Sequence, residues 1–360
     1  MPGQRIFLVA RGLLVLIVAV IVTLLAIPAP MRSAAWTPPR APNLEGPFAP
    51  NDALLRADKL VPGQVVGPES IAVDGAGRIY AGTTDGKIVR LLPGGPVEIF
   101  TETGGRPLGM DFAPNGDLIV ADVMKGLLRV DPKGKVEIIA HEIEGAPFTF
   151  LNGVSVTQDG RTAYVTDSSA RWGYGDHVND ILEAIPGGRL VRIDLGRAPH
   201  AATVLVRGLA FANGVVLAPD ESYALITETA RYRITRVWLE GDRQNIPEVL
   251  VDNLPGFPDN ISLSPRGTYW VAMGSIRKPL LDLAHPYPFI KDAIAGLPEA
   301  LRPQPIPYGL IFEMDDTGHV LASYHDPRGA RFRDLSSVVE SGGALYLGTL
   351  TGTSIGRFSP

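Results

Sequence analysis

The stretch Asn152-Gly-Val-Ser-Val156 contains a pattern that the chain repeats at three other places. Its counterparts are Glu69-Ser-Ile-Ala-Val73, Asn213-Gly-Val-Val-Leu217 and Asp259-Asn-Ile-Ser-Leu263. In each of them one polar residue stands directly before a short apolar run that favours a β-strand. A position that recurs in this way along a chain of 360 residues indicates an internal structural repeat.

Six copies of the repeat are recognisable, although two lack the polar residue. Each copy contains apolar strands separated by Gly and Asp turns, and the copies begin at Gly67, Pro107, Leu151, Ala212, Pro258 and Leu335. Where the loops are short, the spacing is about 40 to 46 residues, which is near the period of a four-stranded blade. The sequence therefore predicts an all-β fold, a six-bladed β-propeller. A β-sandwich would not explain six similar units.

The amino terminus differs from the rest of the chain. Gly12 to Ile27 is an uncharged apolar run, preceded by Arg5 and Arg11. It indicates a signal anchor or a cleaved signal peptide. We assign residues 1–32 to this hydrophobic helix, residues 33–60 to a linker with a possible ring-closing strand, and residues 61–360 to the propeller. The basic flank predicts a membrane-anchored or exported protein whose propeller lies outside the cytoplasm.

Charge excludes one class of partner. The three arginines of residues 1–32 leave 30 basic and 38 acidic side chains in the remainder, a net charge of about −8. Nucleic-acid binding needs clustered positive charge, so no nucleic-acid partner is expected. The chain contains no cysteine, so no disulfide stabilises the fold.

The recurrent position predicts a metal site. Alignment of the six copies places Glu69, Leu108, Asn152, Asn213, Asp259 and Leu335 in one column. In a propeller the first strands of all blades surround a central channel, so this column becomes a ring at one channel mouth. Two carboxylates and two amides in such a ring suit a hard divalent cation such as Ca²⁺, with Asn260 as a further oxygen ligand. The alternative is that these residues are ordinary turn formers before a strand.

Two long insertions are expected on the same face as this ring. Residues 169–188 and residues 274–308 each separate the second and third strands of a blade. Such insertions should form a short helical lid over a substrate pocket. The lid residues that we expect to line the pocket are Trp172, Tyr174, His177, Leu283, His285 and Phe289, and His325 is a candidate that faces the channel. Peripheral decoration, or an apolar surface resting on the membrane, is the alternative.

These features together resemble the calcium-dependent six-bladed propeller hydrolases, which include gluconolactonases and paraoxonases. Phe148-Thr-Phe-Leu-Asn-Gly153, Thr166-Asp-Ser-Ser-Ala-Arg171 and Leu297-Pro-Glu-Ala-Leu-Arg-Pro303 resemble the strictosidine-synthase-like branch of that superfamily, which contains membrane-anchored members. The resemblance implies that Glu69, Asn152, Asn213 and Asp259 bind a catalytic Ca²⁺. Leu108 stands where paraoxonases carry a histidine, and the last blade lacks the glutamate that strictosidine synthases use.

The sequence thus predicts a calcium-dependent hydrolase of esters or lactones that contacts the membrane through its amino-terminal helix. Asp259 would activate water or attack the substrate directly while it also touches the metal. Apolar lid residues would select apolar or aromatic substrates. The alternative is a non-enzymatic propeller that binds a ligand or a protein and uses the cation structurally.

Overall fold

The computed structural model describes residues 11–12, 31–92 and 94–360. Six four-stranded antiparallel sheets form the blades of a propeller, which confirms the predicted architecture. The predicted amino-terminal hydrophobic helix lies almost entirely outside the described residues. Among the helices that are described, none is long and apolar enough to cross a membrane.

The last blade is completed by a strand from the other end of the chain. Strand β1 (Asp58–Leu60) pairs antiparallel with the carboxy-terminal strand, with Asp58 opposite Arg357 and Leu60 opposite Ile355. Because the two ends of the chain share one sheet, the ring cannot open without breaking these backbone hydrogen bonds.

In each of the first three blades, the strands follow one another in chain order from the central channel outward. Blade one contains β2 (Ile71–Val73), β3 (Ile79–Gly82), β4 (Lys87–Leu91) and β5 (Val97–Glu102). Blade two contains β6 (Pro107–Phe112), β7 (Leu118–Asp122), β8 (Gly126–Val130) and β9 (Val136–Ala140). A small hairpin, β10 (Glu142–Ile143) and β11 (Ala146–Pro147), follows. Blade three contains β12 (Leu151–Val156), β13 (Thr162–Asp167), β14 (Gly188–Asp194) and β15 (Ala202–Leu209).

The remaining blades have the same order. Blade four contains β16 (Ala212–Leu217), β17 (Tyr223–Glu228), β18 (Arg233–Trp238) and β19 (Pro247–Val251). Blade five contains β20 (Gly256–Leu263), β21 (Tyr269–Ile276), β22 (Gly309–Met314) and β23 (Val320–Asp326). Blade six contains β24 (Leu335–Ser341), β25 (Ala344–Thr349) and β26 (Ile355–Phe358), with β1 outermost.

Burial follows the position of a strand within its blade. Every residue of the second strands β7 and β17 is buried, because neighbouring blades cover both faces of each sheet. These strands are accordingly apolar over most of their length rather than alternating, as expected for strands covered on both faces. The outermost strands β5 and β19 are only half-buried or exposed.

The Asp and Gly turns that define the repeat have a common geometry. The Oδ1 atom of Asp131 accepts hydrogen bonds from the backbone N–H groups of Lys133 and Lys135, at 2.8 and 2.9 Å. Gly134 in the same turn has a φ of 86°, a conformation that residues with a Cβ rarely adopt. The aspartate and the glycine therefore fix these hairpins locally, before any contact between blades forms.

The two insertions form the expected short helices. Helix α1 (His177–Glu183) lies between β13 and β14, and helices α2 (Pro279–Ala284) and α3 (Pro288–Ala295) lie between β21 and β22. Helix α1 contacts α3, so the two insertions meet. Single 3₁₀ turns occur at Gly46–Phe48, Ala53–Arg56, Thr229–Arg231 and Glu299–Leu301.

A channel of about 300 Å³ runs along the propeller axis and is lined by all six inner strands. The carboxyl group of Asp111, on β6, lies in this channel and accepts a hydrogen bond from the backbone N–H of Val156 at 2.8 Å. Burial raises the pKa of Asp111 to about 6, although the backbone donors of Val156 and Phe112 oppose that shift.

We therefore predict that Asp111 lowers the free energy of unfolding, by an amount that depends on pH. The folded protein holds a proton on Asp111 more tightly than the unfolded chain, so this group lowers the free energy of unfolding as the pH rises from about 4 to about 6. Asp111→Asn keeps an acceptor for Val156 and removes the charge. The variant should gain on the order of 1–2 kcal/mol at pH 7, since water in the channel weakens the full effect, and nothing at pH 4.

Urea denaturation of both proteins across this pH range measures the difference. Asp111→Ala, which loses the acceptor as well as the charge, separates the two contributions. An Asp111→Asn variant whose stability follows that of the parent protein at every pH would contradict the prediction.

Candidate metal centre

In blades three, four and five the recurrent polar position lies at a bulge in the inner strand. The pairing of β12 with β13 shifts register between Leu151 and Val154, which brackets Asn152. The same shift brackets Asn213 in β16 and Asp259 in β20. A bulge re-aims side chains relative to a regular strand. Asn152 and Asn213 are therefore parts of strands rather than turn residues, and the alternative reading of them as turn formers is wrong.

In the sixth copy, the residue at the recurrent position is Ser336 and not Leu335 as the sequence alignment predicted. The register shift in blade six lies between Leu335 and Ser337, so Ser336 occupies the place of Asn152, and Leu335 that of Leu151. Leu335 is fully buried in the core with Leu54 and Ala57. The alignment was wrong because Leu335 resembled Leu108, the apolar residue that does occupy the column in blade two.

Glycines that follow the recurrent position allow the inner strands to approach closely. A Cβ on Gly153 would lie 2.7 Å from the backbone oxygen of Asn213, and one on Gly214 would lie 2.7 Å from the Cα of Asn260. Real Cβ atoms do not make such contacts, so these backbones pass too closely for any side chain. The Asn-Gly pairs thus reflect the packing of one blade on the next.

Hydroxyl groups of the second strands fix the spacing between neighbouring blades. Thr227 Oγ1 in blade four accepts a hydrogen bond from the N–H of Gly214 at 2.8 Å and donates one to the backbone oxygen of Asp259 at 2.5 Å. Thr166 in blade three makes the same pair of bonds, to Gly153 and to the backbone oxygen of Asn213. The backbone that carries each ring residue is therefore held by the blade before it.

The two asparagine side chains are oriented by a second layer of hydroxyls. Asn152 Nδ2 donates to Ser168 Oγ at 3.1 Å, and Asn213 Nδ2 donates to Thr229 Oγ1 at 3.2 Å. Each hydroxyl in turn donates to a backbone oxygen of the next blade. The Oδ1 atoms of both asparagines are buried and have no hydrogen-bond partner among the described residues. An unpartnered buried carbonyl costs about 1–3 kcal/mol, which a bound cation would offset.

Glu69 and Asp259 contribute the negative charge of this ring and are 6% and 5% exposed. Burial raises the pKa of Asp259 well above its usual range, and the charge of Glu69 raises it further, whereas Asn213 and the N–H of Asn260 lower it. Burial also raises the pKa of Glu69, against the opposing effect of Arg106. The charge of Glu69 thus makes ionisation of Asp259 less favourable in this buried ring.

The donor set consists of oxygens. In the part of the chain that the structure describes, no cluster of three or more His, Cys, Asp or Glu side chains is placed to hold a metal ion. Two carboxylates with two buried, unpartnered amide oxygens suit a hard cation better than zinc. Asn260 differs from the other four, because its Nδ2 donates to Ser336 O at 3.0 Å and links blades five and six.

One residue that contacts the ring was not found from the sequence. Arg106, at the start of blade two, is 2% exposed and places Nη2 2.7 Å from Glu69 Oε2. It lies two residues before the column position, where the corrected register has no arginine in any other copy, so the repeat did not point to it.

The blade-two side of the ring is an apolar wall. Leu108 packs in one buried cluster with Phe150 and Phe211, which lie two residues before Asn152 and Asn213. Helix α1 lies over this wall, with the His177 ring 5.7 Å from the ring of Phe150 and 6.3 Å from that of Phe211. Burial lowers the pKa of His177, and its Nδ1 has no partner among the described residues. Asn179 on the same helix has an equally unpartnered Oδ1.

The other lid candidates divide into a buried and an exposed group. Trp172 Nε1 donates to Glu183 Oε2 at 3.0 Å, and the side chain packs on the cluster of Met31, Leu182 and Ala295. Tyr174, Leu283 and Phe289 are 47%, 70% and 58% exposed. These three side chains face solvent rather than an enclosed pocket.

Two of the histidine expectations are corrected. His325 does not face the channel, because it lies on the outermost strand β23, fully buried, with Nδ1 2.9 Å from Tyr308 Oη and Nε2 2.8 Å from Ser323 Oγ. His285 does not line an open pocket either. It is fully buried beside Trp36, with ring centroids 4.7 Å apart, and its burial together with nearby Lys291 lowers its pKa to about 3.

Known proteins resemble the chain along nearly all of its length. The family model described as strictosidine synthase-like, N-terminal, matches residues 46–91, and the strictosidine synthase model matches residues 152–242. The adipocyte plasma membrane-associated protein of Salmo salar is 38% identical over 96% of this chain and 88% of its own length. The human protein of that name is 38% identical over 88% of this chain and 81% of its own length.

Solved structures share the fold at much lower identity. A gluconolactonase from Xanthomonas campestris superposes with a TM-score of 0.62 at 15% identity, over 93% of this chain and 99% of that one. The calcium-binding protein regucalcin from Agrobacterium tumefaciens gives a TM-score of 0.57 at 14% identity, over 84% of this chain and 90% of that one. The identity and coverage of the sequence relatives place the chain in the strictosidine-synthase-like family of six-bladed propellers, in the branch of the adipocyte plasma membrane-associated proteins.

Proposed function

We propose that this protein is a Ca²⁺-dependent hydrolase of esters or lactones. The observation that carries the proposal is the pair of buried, unpartnered oxygens, Asn152 Oδ1 and Asn213 Oδ1, in one ring with two carboxylates. A polar ring of this kind, beneath a lid and beside an apolar wall, has the character of a small-molecule site.

Glu69, Asn152, Asn213 and Asp259 would hold the cation, with Asn260 close enough in sequence to add an oxygen. When bound, the cation supplies Lewis acidity toward a carbonyl or phosphoryl oxygen of the substrate.

Asp259 is the residue to which we assign proton transfer or nucleophilic attack. Its backbone oxygen is held by Thr227 at 2.5 Å, so the carboxyl group starts from a fixed position. Such preorganisation is what a general base or a nucleophile requires. Leu108, Phe150 and Phe211 would bind the apolar part of the substrate, and α1 would exclude water above it.

Two of the structural relatives support this class of reaction by analogy alone. One bears the name of a gluconolactonase and another that of a calcium-binding protein, and both share the six-bladed fold. Propellers support many functions, so the ring residues of this chain, and not the fold, carry the proposal.

Cation binding should depend on the two asparagine amides. Asn152→Ala and Asn213→Ala should each weaken Ca²⁺ binding by about tenfold or more, because each removes one inward oxygen. Isothermal titration calorimetry on the full chain measures the affinity. Asn179→Ala is the matched control, since its Oδ1 is equally buried and unpartnered but belongs to the lid. Equal affinities for all four proteins would refute the assignment of these ligands.

Hydrolysis should depend on both the cation and Asp259. The full chain should hydrolyse members of a panel of phenyl esters and small lactones, and both a chelator and Asp259→Asn should abolish turnover. Asp111→Asn makes the same chemical change in the channel and should leave turnover intact. Hydrolysis that is indifferent to the chelator and to Asp259→Asn would exclude this mechanism. Ca²⁺ binding without turnover on any ester or lactone would favour the non-enzymatic propeller with a structural cation.

The lid is also the surface from which we propose that the membrane anchor emerges. Met31, which follows the apolar amino-terminal run, is 4% exposed and packs between α1 and α3. The next residues are fixed there too, because Ala34 N–H donates to Glu183 O at 2.9 Å and Lys291 Nζ donates to Ala34 O at 2.6 Å. Only residues 28–30 separate the apolar run from Met31, so the exposed Leu283 and Phe289 would face the lipid.

This orientation is testable because the chain has no cysteine. Leu283→Cys, labelled with an environment-sensitive fluorophore, should shift to shorter emission wavelength when the full chain is reconstituted into phosphatidylcholine vesicles. Ile138→Cys is the control, since Ile138 is 55% exposed but lies on the outermost strand of blade two. Identical emission from the two labelled proteins would show that the lid does not face the bilayer.

A further inference from the structure

We propose that Arg106 is a built-in counter-ion of the ring, which shares Glu69 with the divalent cation, keeps the ring folded without the cation and lowers its affinity for the cation. This inference rests on the proposed cation site, and concerns a residue that is not itself a ligand. Arg106 is therefore a positioning and charge-balancing residue.

The first support is the contact itself. Arg106 Nη2 lies 2.7 Å from Glu69 Oε2, with both side chains almost fully buried. The pair uses only one carboxylate oxygen, since Oε1 of Glu69 accepts no hydrogen bond from the described residues. Glu69 can thus face the guanidinium on one side and present its second oxygen to the centre of the ring.

The second support is that Arg106 is itself held rigidly. Nη1 donates to the backbone oxygen of Gly67 at 2.9 Å, and the N–H of Arg106 donates to Asp122 Oδ1 at 3.0 Å. Gly67 has a φ of 54°, and a Cβ there would lie 2.6 Å from Thr84 Cγ2, so this corner has little room to move. The guanidinium cannot withdraw far when a cation binds.

The third support is that Glu69 does not need Arg106 to hold its backbone. The carbonyl oxygen of Glu69 accepts hydrogen bonds from Ser336 Oγ at 2.7 Å and Ser337 Oγ at 2.6 Å, and its N–H donates to Gly82 O at 3.2 Å. Loss of the guanidinium would therefore leave Glu69 in place but without its positive partner.

The positive charge of Arg106 determines whether its removal strengthens or weakens cation binding. In the ring without a cation, Arg106 offsets the repulsion between Glu69 and Asp259. In the ring with a cation, the same guanidinium is a like charge close to the ion in a buried site, where Coulomb interactions are strong. Removal of Arg106 should destabilise the cation-free ring more than the loaded ring, and a larger difference between these two states means tighter binding.

The experiment compares Arg106→Gln with the parent protein, both as the full chain. After chelation, each protein is titrated with CaCl₂ by calorimetry, and its melting temperature is measured with and without Ca²⁺. We expect Arg106→Gln to bind Ca²⁺ roughly tenfold more tightly. Its melting temperature should fall without Ca²⁺ and recover most of that loss with Ca²⁺, so that the gap between the two states widens.

A matched control separates this effect from general loss of a buried arginine. Arg277 is also about 2% exposed and pairs with a carboxylate, Asp282, at 3.0 Å, but that carboxylate belongs to lid helix α2. Arg277→Gln should lower both melting temperatures by similar amounts and leave the affinity for Ca²⁺ within about twofold of the parent. Arg106→Lys keeps the charge and should also bind with nearly the parent affinity.

The outcomes are distinguishable. Arg106→Gln with equal or weaker affinity for Ca²⁺ would overturn the inference while leaving the proposed cation site intact. A parent protein that binds no divalent cation would overturn both. A variant that folds only when Ca²⁺ is present supports the inference directly. Should Arg106→Gln fail to fold under either condition, Arg106→Met, an apolar side chain of comparable reach, provides the same comparison.

Discussion

The inner strands of neighbouring blades approach each other too closely for side chains at several crossings, and the rest of the structure depends on this approach. At Gly109, a Cβ would lie 2.3 Å from the backbone oxygen of Asn152, and Gly153 and Gly214 face similar contacts with the next blades. Six strands can surround one axis at this distance only if the residue at each crossing has no side chain or the strand bulges away. In blades three, four and five the bulge that accompanies this crowding contains the ring residue itself. Ring closure and the candidate site therefore have one cause.

The chemistry of the ring is decided by what each blade contributes to the next. Ser168 and Thr229 fix the two asparagine amides through Nδ2, which leaves the Oδ1 atoms buried and without a hydrogen-bond partner among the described residues. The charge of Glu69 disfavours ionisation of Asp259 in the same buried ring. Within the described residues, Arg106 is the positively charged side chain that contacts Glu69. A protein interior tolerates such an arrangement when an ion or a buried partner balances it. Stability and ligand binding are thus coupled at this site.

The lid ties the amino-terminal segment to the face of the candidate site. Residues 33–40, expected to be part of a linker, are bound to the lid and to blade five, for example through Arg277 Nη2 to Pro39 O at 2.6 Å. Arg231 lies 4.0 Å from the ring of Trp36 and adds a cation–π contact. The segment that leads from the amino terminus is therefore built into the roof of the candidate site.

Much of this arrangement follows from the sequence, because the repeat is local. The spacing of the six copies predicted the propeller. The shared position of Glu69, Asn152, Asn213 and Asp259 predicted that these residues lie in one ring, since symmetry turns a column of sequence into a ring. The two insertions were likewise readable as helical from their composition. Register within the sixth copy was not, because Leu335 and Ser336 differ by one step that only strand pairing with β25 resolves.

The tertiary structure decided what has no periodic signature. Arg106 has no counterpart at the same position in the other copies of the repeat. Its contact with Glu69 forms because blades one and two are neighbours, so the repeat pattern does not predict this contact. His325 and His285 looked like pocket residues but are buried, one in an outer strand and one beside Trp36. The sequence alone determined the ring, because symmetric positions share one environment; the charge balance around the ring was decided by single contacts between segments distant in the chain, which only folding brings together.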